Sequence, residues 1–100
     1  MGVVMCFGVA ISSLNAQESA IRGHVYDEKT GEPIIYANIV IGDTNFGTNT
    51  DENGYFYITD VPVGTYRLKV SYIGYEELSR EVEFRKGKIN YYKVSLILFT

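Results

Sequence analysis

The feature that most constrains the fold of this chain is a succession of turn signals separated by short alternating segments. Residues 51–54, Asp-Glu-Asn-Gly, favour a tight turn because the Asn-Gly pair tolerates a positive φ. Residues 61–64, Val-Pro-Val-Gly, are a second turn signal, in which the proline presets φ at the first central position. Between them, residues 55–59 place apolar side chains at every second position. The sequence therefore predicts a hairpin turn, a short strand and another turn.

The same pattern recurs along the chain and predicts seven short strands. A 3.6-residue apolar period with helix caps is missing from residues 17–100, so we predict no helix there. Short strands separated by turns are typical of an antiparallel β-sandwich, in which two sheets bury their inward faces against each other. The predicted strands span residues 21–26, 34–41, 47–50, 55–59, 65–73, 78–85 and 89–98.

Alternation within these segments also predicts which side chains face the core. The predicted inward residues are Ile21, Gly23, Val25, Ile35, Ala37, Ile39, Ile41, Phe56, Ile58, Tyr66, Leu68, Val70, Tyr72, Val82, Phe84, Tyr92, Val94, Leu96 and Leu98. Between the strands, glycines, prolines and one asparagine supply backbone conformations that turns require. We predict that these turn residues specify the fold: Gly31, Pro33, Asn53, Gly54, Pro62, Gly64 and Gly74.

The N-terminal segment differs in composition from the rest of the chain. Residues 1–16 contain no Asp, Glu, Lys or Arg, and their apolar stretch, residues 3–11, is too short to span a bilayer. We predict that residues 1–16 are a signal peptide ending at Ala16 and that residues 17–100 form one domain. No basic residue precedes the apolar stretch, so we expect the true start to lie upstream. A buried N-terminal strand is the alternative, which the missing alternation disfavours.

Composition excludes several classes of function. The net charge of −3 argues against a nucleic-acid partner. The single cysteine, Cys6, lies in the predicted signal peptide, so the mature chain has no disulfide framework. Cys6 also lacks the small preceding residue of a lipidation site, since Val4 and Met5 come before it. Stability must therefore come from an apolar core alone.

Reactive side chains are scarce. His24 is the only histidine, and its strand position points it away from the predicted core. No second histidine or mature cysteine is available to complete a zinc site, and no nucleophile is paired with a base. We therefore predict no enzymatic activity, no catalytic residue, no metal and no cofactor.

The polar loop at residues 49–54 resembles the start of an EF-hand calcium loop. Asn49, Asp51 and Asn53 occupy the first, third and fifth positions, and Gly54 occupies the sixth. Asp60 stands where a bidentate glutamate is expected, and the intervening residues alternate as a strand does. Turn formation is the interpretation that this pattern favours.

Nine tyrosines are many for a chain of this length, and several fall on outward positions of the predicted strands. Exposed aromatic rings could stack on a sugar or contact a protein partner. Tyrosine is also favoured in strands for its cross-strand packing alone, which leaves a purely structural interpretation open. Five tyrosines lie on outward positions: Tyr26, Tyr36, Tyr55, Tyr57 and Tyr91. The candidate contact residues among them are Tyr36, Tyr55, Tyr57 and Tyr91.

The order of the motifs resembles a known family. The motifs TGEP at residues 30–33, TDENG at 50–54 and SYIGYE at 71–76 together resemble the carboxypeptidase regulatory-like domain. The version found at the N-terminus of SusC-like TonB-dependent outer-membrane receptors is the most similar, and the resemblance covers residues 21–98. It implies a transthyretin-like, seven-stranded, antiparallel Greek-key β-sandwich.

The resemblance also implies a function. Such a domain is a non-catalytic periplasmic accessory element, a spacer or a docking domain, of a TonB-dependent nutrient receptor. Its implied partners are the plug and barrel of the parent receptor, with TonB or other periplasmic proteins, and its implied location is the periplasmic face of the outer membrane. No direct membrane span is expected in this segment, and the zinc ligands of metallocarboxypeptidases are missing from it.

One departure from the family pattern leaves an alternative open. The receptors continue past the last strand into a plug and barrel, whereas this sequence stops at Thr100. We therefore expect either a fragment of a receptor or a free-standing secreted module that binds carbohydrate or protein.

Overall fold

The computed structural model describes residues 19–99, which contain seven β-strands and fold as a two-layer sandwich. The strands are β1 (Ser19–Asp27), β2 (Asn38–Ile41), β3 (Gly47–Asn49), β4 (Tyr55–Val61), β5 (Gly64–Ser71), β6 (Leu78–Phe84) and β7 (Ile89–Leu96). One sheet has the order β4-β1-β7, and the other has the order β3-β2-β5-β6. The predicted all-β sandwich is confirmed, and its Greek-key connectivity stays a prediction.

The core lies between the two sheets and is built from the inward phase of each strand. Most of the predicted inward side chains are buried, and Tyr66 and Tyr92 are half-buried against the core. The buried apolar cluster comprises Ile21, Val25, Ile34, Ala37, Ile39, Ile41, Phe56, Ile58, Val61, Leu68, Val70, Val82, Phe84, Val94 and Leu96. Removing this apolar surface from water is the main force that holds the two sheets together.

One strand pair departs from the predicted antiparallel arrangement. β1 and β7 run parallel, in register from Ala20 opposite Ile89 to Asp27 opposite Leu96. Parallel strands cannot be joined by a tight hairpin and need a long connection. β1 and β7 lie at opposite ends of the described chain, so the intervening five strands provide that connection.

The second strand is shorter than predicted. β2 begins at Asn38, and residues 35 and 36 form a turn in which Tyr36 has a φ of 64°. Ile34 and Ala37 are therefore buried, whereas Ile35, which we predicted to face the core, is exposed. A left-handed residue interrupts the two-residue period, and each side of the turn then keeps its own phase.

Two further predicted core residues are exposed because their strands end early. β5 ends at Ser71, so Tyr72 lies outside it, and β7 ends at Leu96, so Leu98 lies outside it. The two segments contact each other instead, since the Phe99 N–H donates to the Gly74 carbonyl at 2.9 Å. Their side chains therefore lie at the end of the sandwich rather than between the sheets.

The turn at residues 51–54 forms, but it does not make the predicted hairpin. The Gly54 N–H donates to the Asp51 carbonyl at 2.9 Å, and the Asp51 N–H donates to the Tyr55 carbonyl at 2.9 Å. β3 and β4 nevertheless belong to different sheets, so this turn carries the chain across the sandwich. Turn residues report a change of chain direction and not which strand will pair with which.

The predicted turn residues lie at or near the ends of strands. Asn53 donates its N–H to the Asp51 side chain at 2.8 Å, Pro33 forms an isolated bridge with Tyr26, and Pro62 separates β4 from β5. The four glycines have positive φ: Gly31 at 76°, Gly54 at 75°, Gly64 at 152° and Gly74 at 88°. The predicted signal peptide, residues 1–16 with Cys6, lies outside the described residues, and its boundary stays a prediction.

Candidate functional site

The outer surface of the three-stranded sheet carries a group of aromatic and basic side chains. Strand register places Arg22 of β1 opposite Tyr57 of β4 on one side and opposite Tyr91 of β7 on the other. The next outward position pairs His24 with Tyr55 and with Lys93 in the same way. We call this surface the tyrosine face and define it by Arg22, His24, Tyr26, Tyr55, Tyr57, Tyr91 and Lys93.

Strand alternation explains why these side chains share one surface. In β1 the inward residues Ile21 and Val25 are fully buried, so the residues on the alternate phase, Arg22, His24 and Tyr26, point outward. Gly23 lies between these two and packs β1 closely on its neighbours, since a Cβ there would lie 1.9 Å from the Tyr92 carbonyl oxygen. The absent side chain at Gly23 therefore permits the pairing that brings β7 alongside β1.

His24 lies at the centre of the tyrosine face and contacts three tyrosine rings. Its Nδ1 shares a hydrogen bond of 2.8 Å with the hydroxyl of Tyr91. Its ring centroid lies 5.2 Å from that of Tyr55, 5.9 Å from that of Tyr26 and 6.1 Å from that of Tyr91. These are normal aromatic packing distances, so the rings hold one another in place.

The charges of the tyrosine face are all of one sign. Lys93 places its Nζ 5.5 Å from the centroid of the Tyr26 ring, a cation–π distance. Arg22 is exposed between Tyr57 and Tyr91. Within residues 19–99 the one salt bridge joins Arg85 to Glu83, so neither cation of the face is paired with a carboxylate.

The outer surface of the four-stranded sheet differs in its charge pattern. There, Arg67 of β5 lies opposite Glu81 of β6, and Thr65 lies opposite Glu83. Lys69 follows Arg67 on the same exposed phase. Basic side chains of β5 therefore lie beside acidic side chains of β6 on that sheet, whereas the tyrosine face carries only basic ones.

The Asp51 carboxylate, in the turn that precedes Tyr55, is engaged by backbone donors. The Tyr55 and Asn53 N–H groups donate to Oδ1 of Asp51 at 3.0 and 2.8 Å, and these bonds lower the pKa of its carboxyl group. His24 lowers the pKa of Asp51 further through its charge. Asp51 thus closes its own turn, and within residues 19–99 no group of three or more His, Cys, Asp or Glu could hold a metal ion.

The structure brings together three of the four candidate contact tyrosines. Tyr55, Tyr57 and Tyr91 lie on the tyrosine face, with Tyr57 47% and Tyr91 56% exposed. Tyr36 lies elsewhere, 72% exposed, in a shallow hollow lined also by Tyr72 and Ile73.

The structural roles of two side chains, those of Thr50 and Tyr75, were not predicted from the sequence. Thr50 is buried, and its hydroxyl bonds to the backbone of the turn at residues 35 and 36. Tyr75 donates its hydroxyl to Asp27 across the two sheets at 2.5 Å. Neighbouring residues in the sequence do not predict either contact, because each contact joins segments that are distant in the sequence.

Sequence comparison assigns the family of this chain. Residues 21–96 match the family model described as the CarboxypepD_reg-like domain. The chain belongs to the CarboxypepD_reg-like domain family. This match spans every one of the strands described above and leaves out only the first two residues of β1.

Curated relatives of this CarboxypepD_reg-like domain are receptors. The chain is 40% identical over 79 residues to the TonB-dependent receptor P39 of Formosa agariphila, covering 79% of this chain and 7% of the receptor. It is 42% identical over 65 residues to the TonB-dependent receptor SusC of Bacteroides thetaiotaomicron, covering 61% of this chain and 6% of the receptor. The chain therefore spans a small part of the length of the relatives that it matches.

Solved structures share the fold of this CarboxypepD_reg-like domain. A chain of a type II cohesin–X-dockerin complex from Acetivibrio cellulolyticus matches with a TM-score of 0.59 and 29% identity, covering 80% of this chain and 56% of that one. Catechol 1,2-dioxygenase from Acinetobacter matches with a TM-score of 0.67 and 12% identity, covering 86% of this chain and 54% of that one. The second likeness concerns the fold alone. Within residues 19–99 no helix is long and apolar enough to cross a membrane.

Proposed function

We propose that this CarboxypepD_reg-like domain is a non-catalytic accessory domain of a TonB-dependent outer-membrane nutrient receptor, exposed to the periplasm. The observation that carries the proposal is the identity of 40% to a TonB-dependent receptor of which the matching part is only 7%. A segment this small contributes one domain to such a receptor, and the transport machinery belongs to the remainder. The partners are then the plug and barrel of the parent receptor, with TonB or another periplasmic protein.

A docking role is favoured over that of a simple spacer. A spacer needs only a stable fold with a solvated surface, whereas the tyrosine face exposes rings and unpaired cations on one sheet. Tyrosine and arginine are enriched among the residues that dominate the energy of protein interfaces. A solved relative with 29% identity is a chain of a cohesin–X-dockerin complex, and that protein functions in a protein–protein assembly.

Domain replacement in a known receptor tests this proposal. Residues 17–100 would replace the matching segment of the Bacteroides thetaiotaomicron receptor SusC, beside one version with the segment deleted and one with a flexible linker of equal length. The measurements are receptor abundance in the outer membrane, nutrient-dependent growth and protease sensitivity from the periplasmic side.

The proposal predicts that the replaced receptor supports growth as the native receptor does and that the inserted domain is cleaved only after the outer membrane is opened. Restoration by the domain and not by the linker indicates docking, and restoration by both indicates a spacer. A replaced receptor that is as abundant as the native one but supports no growth would contradict the accessory role.

A second candidate function is a free-standing secreted module that binds carbohydrate or protein. The tyrosine face favours it, because exposed rings on one sheet are what such a module needs. This candidate requires that residues 1–16 act as a signal peptide. Sequencing the coding DNA on both sides of the reading frame separates the two candidates, since a stop codon directly after Thr100 favours the module and a continuing frame favours the receptor.

A further inference from the structure

We propose that the tyrosine face binds an extended acidic peptide segment. The inference rests on the proposed docking role and adds to it the surface and the chemical class of the partner. It is argued from the charge, the shape and the ring packing of that surface.

The charge of the tyrosine face indicates that the partner carries the opposite charge. The whole chain carries a net charge of −3, yet the tyrosine face carries Arg22 and Lys93 and no carboxylate. The carboxylates of its strands, Asp27 and Asp60, lie outside the face, at the end of β1 and near the end of β4. Neither cation has a salt-bridge partner within residues 19–99. A basic surface attracts an acidic partner and repels the same surface of a second copy.

Shape gives the size of the partner. Three strands at a spacing of about 4.8 Å, with outward residues from Arg22 to Tyr26, make a face of roughly 15 by 16 Å. Interfaces between globular proteins bury about 800 Å² on each partner, more than twice this area. A face of this length instead fits an extended segment of about five residues, which rises about 3.3 Å per residue.

Ring packing favours a peptide over a sugar. Stacking on a sugar needs an open ring face, but Tyr26 has the His24 ring stacked on it at 5.9 Å and the Lys93 Nζ above its ring at 5.5 Å. The Tyr55 ring is tilted by 55° against His24 and is also engaged. Tyr26 and Tyr55 therefore offer a partner their hydroxyl groups rather than open ring faces, and hydroxyl groups and cations are donors to carboxylates.

Hydroxyl donors lie beside the cations. Within residues 19–99 the hydroxyls of Tyr26, Tyr55 and Tyr57 form no hydrogen bond, and that of Tyr91 bonds only to His24. A carboxylate accepting from Arg22 can therefore also accept from the Tyr57 hydroxyl across the β1–β4 pair. Alternate side chains of an extended peptide point to the same side, so an acidic residue at every second position would meet Arg22 and Lys93 in turn.

The test is a binding measurement on the purified full chain. The probe is a fluorescein-labelled peptide of about ten glutamates, followed by fluorescence anisotropy, with a peptide of about ten glutamines as the uncharged comparison. We expect the glutamate peptide to bind, the glutamine peptide not to bind, and the affinity to fall at least about fivefold between about 50 and about 300 mM NaCl.

Charge-removal variants locate the binding surface. Arg22→Gln and Lys93→Gln should each weaken binding about fivefold or more, because each removes an unpaired cation from the face. Arg67→Gln is the matched control: it removes the same charge from the outer surface of the other sheet, where a glutamate lies opposite, and should change affinity less than about twofold. Tyr57→Phe should weaken binding without changing the net charge. Thermal unfolding of each variant shows that the fold is retained.

Several outcomes would overturn the inference. These are no binding of the glutamate peptide, equal weakening by Arg67→Gln and Arg22→Gln, or binding of polygalacturonate without binding of the peptide, which would make the face an acidic-glycan site. Failure here with a functional replaced receptor would leave the accessory role intact. Peptide binding with a non-functional replaced receptor would contradict the accessory role and leave the binding face intact.

Discussion

At the scale of single residues, Thr50 shows how one buried hydroxyl can set the start of a strand. Its side chain is 1% exposed, accepts a hydrogen bond from the Ala37 N–H at 2.8 Å and donates one to the Ile34 carbonyl at 2.6 Å. Its own carbonyl accepts from the Tyr36 N–H at 3.0 Å. These bonds satisfy backbone N–H and carbonyl groups at residues 34, 36 and 37, which lie outside the β-strands. The strand β2 begins directly after this turn.

Removing this hydroxyl should destabilise the protein. Thr50→Val keeps nearly the same shape but leaves the Ala37 N–H and the Ile34 carbonyl without these partners in a buried place. We expect the free energy of unfolding in urea to fall by about 1–3 kcal/mol. Thr50→Ser keeps the hydroxyl and is the control, so equal losses in the two variants would show that the methyl group and not the hydroxyl matters.

At the scale of elements, the turn from β3 to β4 shows why a turn can tolerate only glycine at one position. Gly54 has a φ of 75°, and a Cβ there would lie 2.8 Å from the Val25 carbonyl oxygen and 2.9 Å from Cβ of Pro33. Gly31 has nearly the same φ, 76°, but a Cβ there would meet no atom within 4 Å. A comparison of Gly31 with Gly54 therefore distinguishes the cost of a left-handed backbone from the cost of a steric overlap.

Alanine substitutions at these two positions should have different costs. Gly31→Ala pays for the left-handed backbone, partly offset by a stiffer unfolded chain, and should lower the free energy of unfolding by about 1 kcal/mol. Gly54→Ala adds overlap with a backbone carbonyl and a proline, and should lower it by about 2–4 kcal/mol. Denaturant unfolding of both variants measures the difference. Similar losses would mean that strand β1 moves easily away from the turn.

At the scale of the whole molecule, a hydrogen bond between two side chains links the two sheets at one end. Tyr75, between β5 and β6, donates its hydroxyl to Oδ2 of Asp27, the last residue of β1, at 2.5 Å. This bond is the main cause that lowers the pKa of Asp27, with smaller contributions from the Thr30 and Lys29 N–H groups. The same bond raises the pKa of Tyr75.

Removing the tyrosine hydroxyl should raise the pKa of Asp27 toward its ordinary value. In Tyr75→Phe we expect the pKa of Asp27 to rise toward 3.8, its ordinary value, in a titration followed by carboxyl NMR shifts. The pKa of Asp51 serves as an internal control and should stay lowered, because its donors are the backbone groups of its own turn. Equal shifts in both aspartates would indicate a general change of structure.

The lowered pKa also fixes the sign of the pH dependence. A carboxyl group with a lower pKa in the folded state stabilises the fold above its unfolded pKa, and this contribution is lost as the pH falls through the folded pKa. We therefore expect the free energy of unfolding to decrease below about pH 3.8, and less steeply in Tyr75→Phe than in the native chain.

The sequence alone determined the features that depend on neighbouring residues. Alternation placed Ile21 and Val25 inward and Tyr55, Tyr57 and Tyr91 outward, because successive side chains of a strand point to opposite faces whatever its partner is. Glycine, proline and asparagine marked where the chain turns, since their backbone preferences act within a few residues. The motifs also indicated the family, which the comparison confirmed.

Only the tertiary structure decided which strands pair and which outward side chains meet. The parallel pairing of β1 with β7 and the crossing of the chain between sheets after β3 depend on contacts between residues far apart in the sequence. The turn at Tyr36 depends on Thr50, and the gathering of tyrosines around His24 depends on three strands side by side. Local periodicity carries no information on such pairings, because they result from competition among all strands to cover one core.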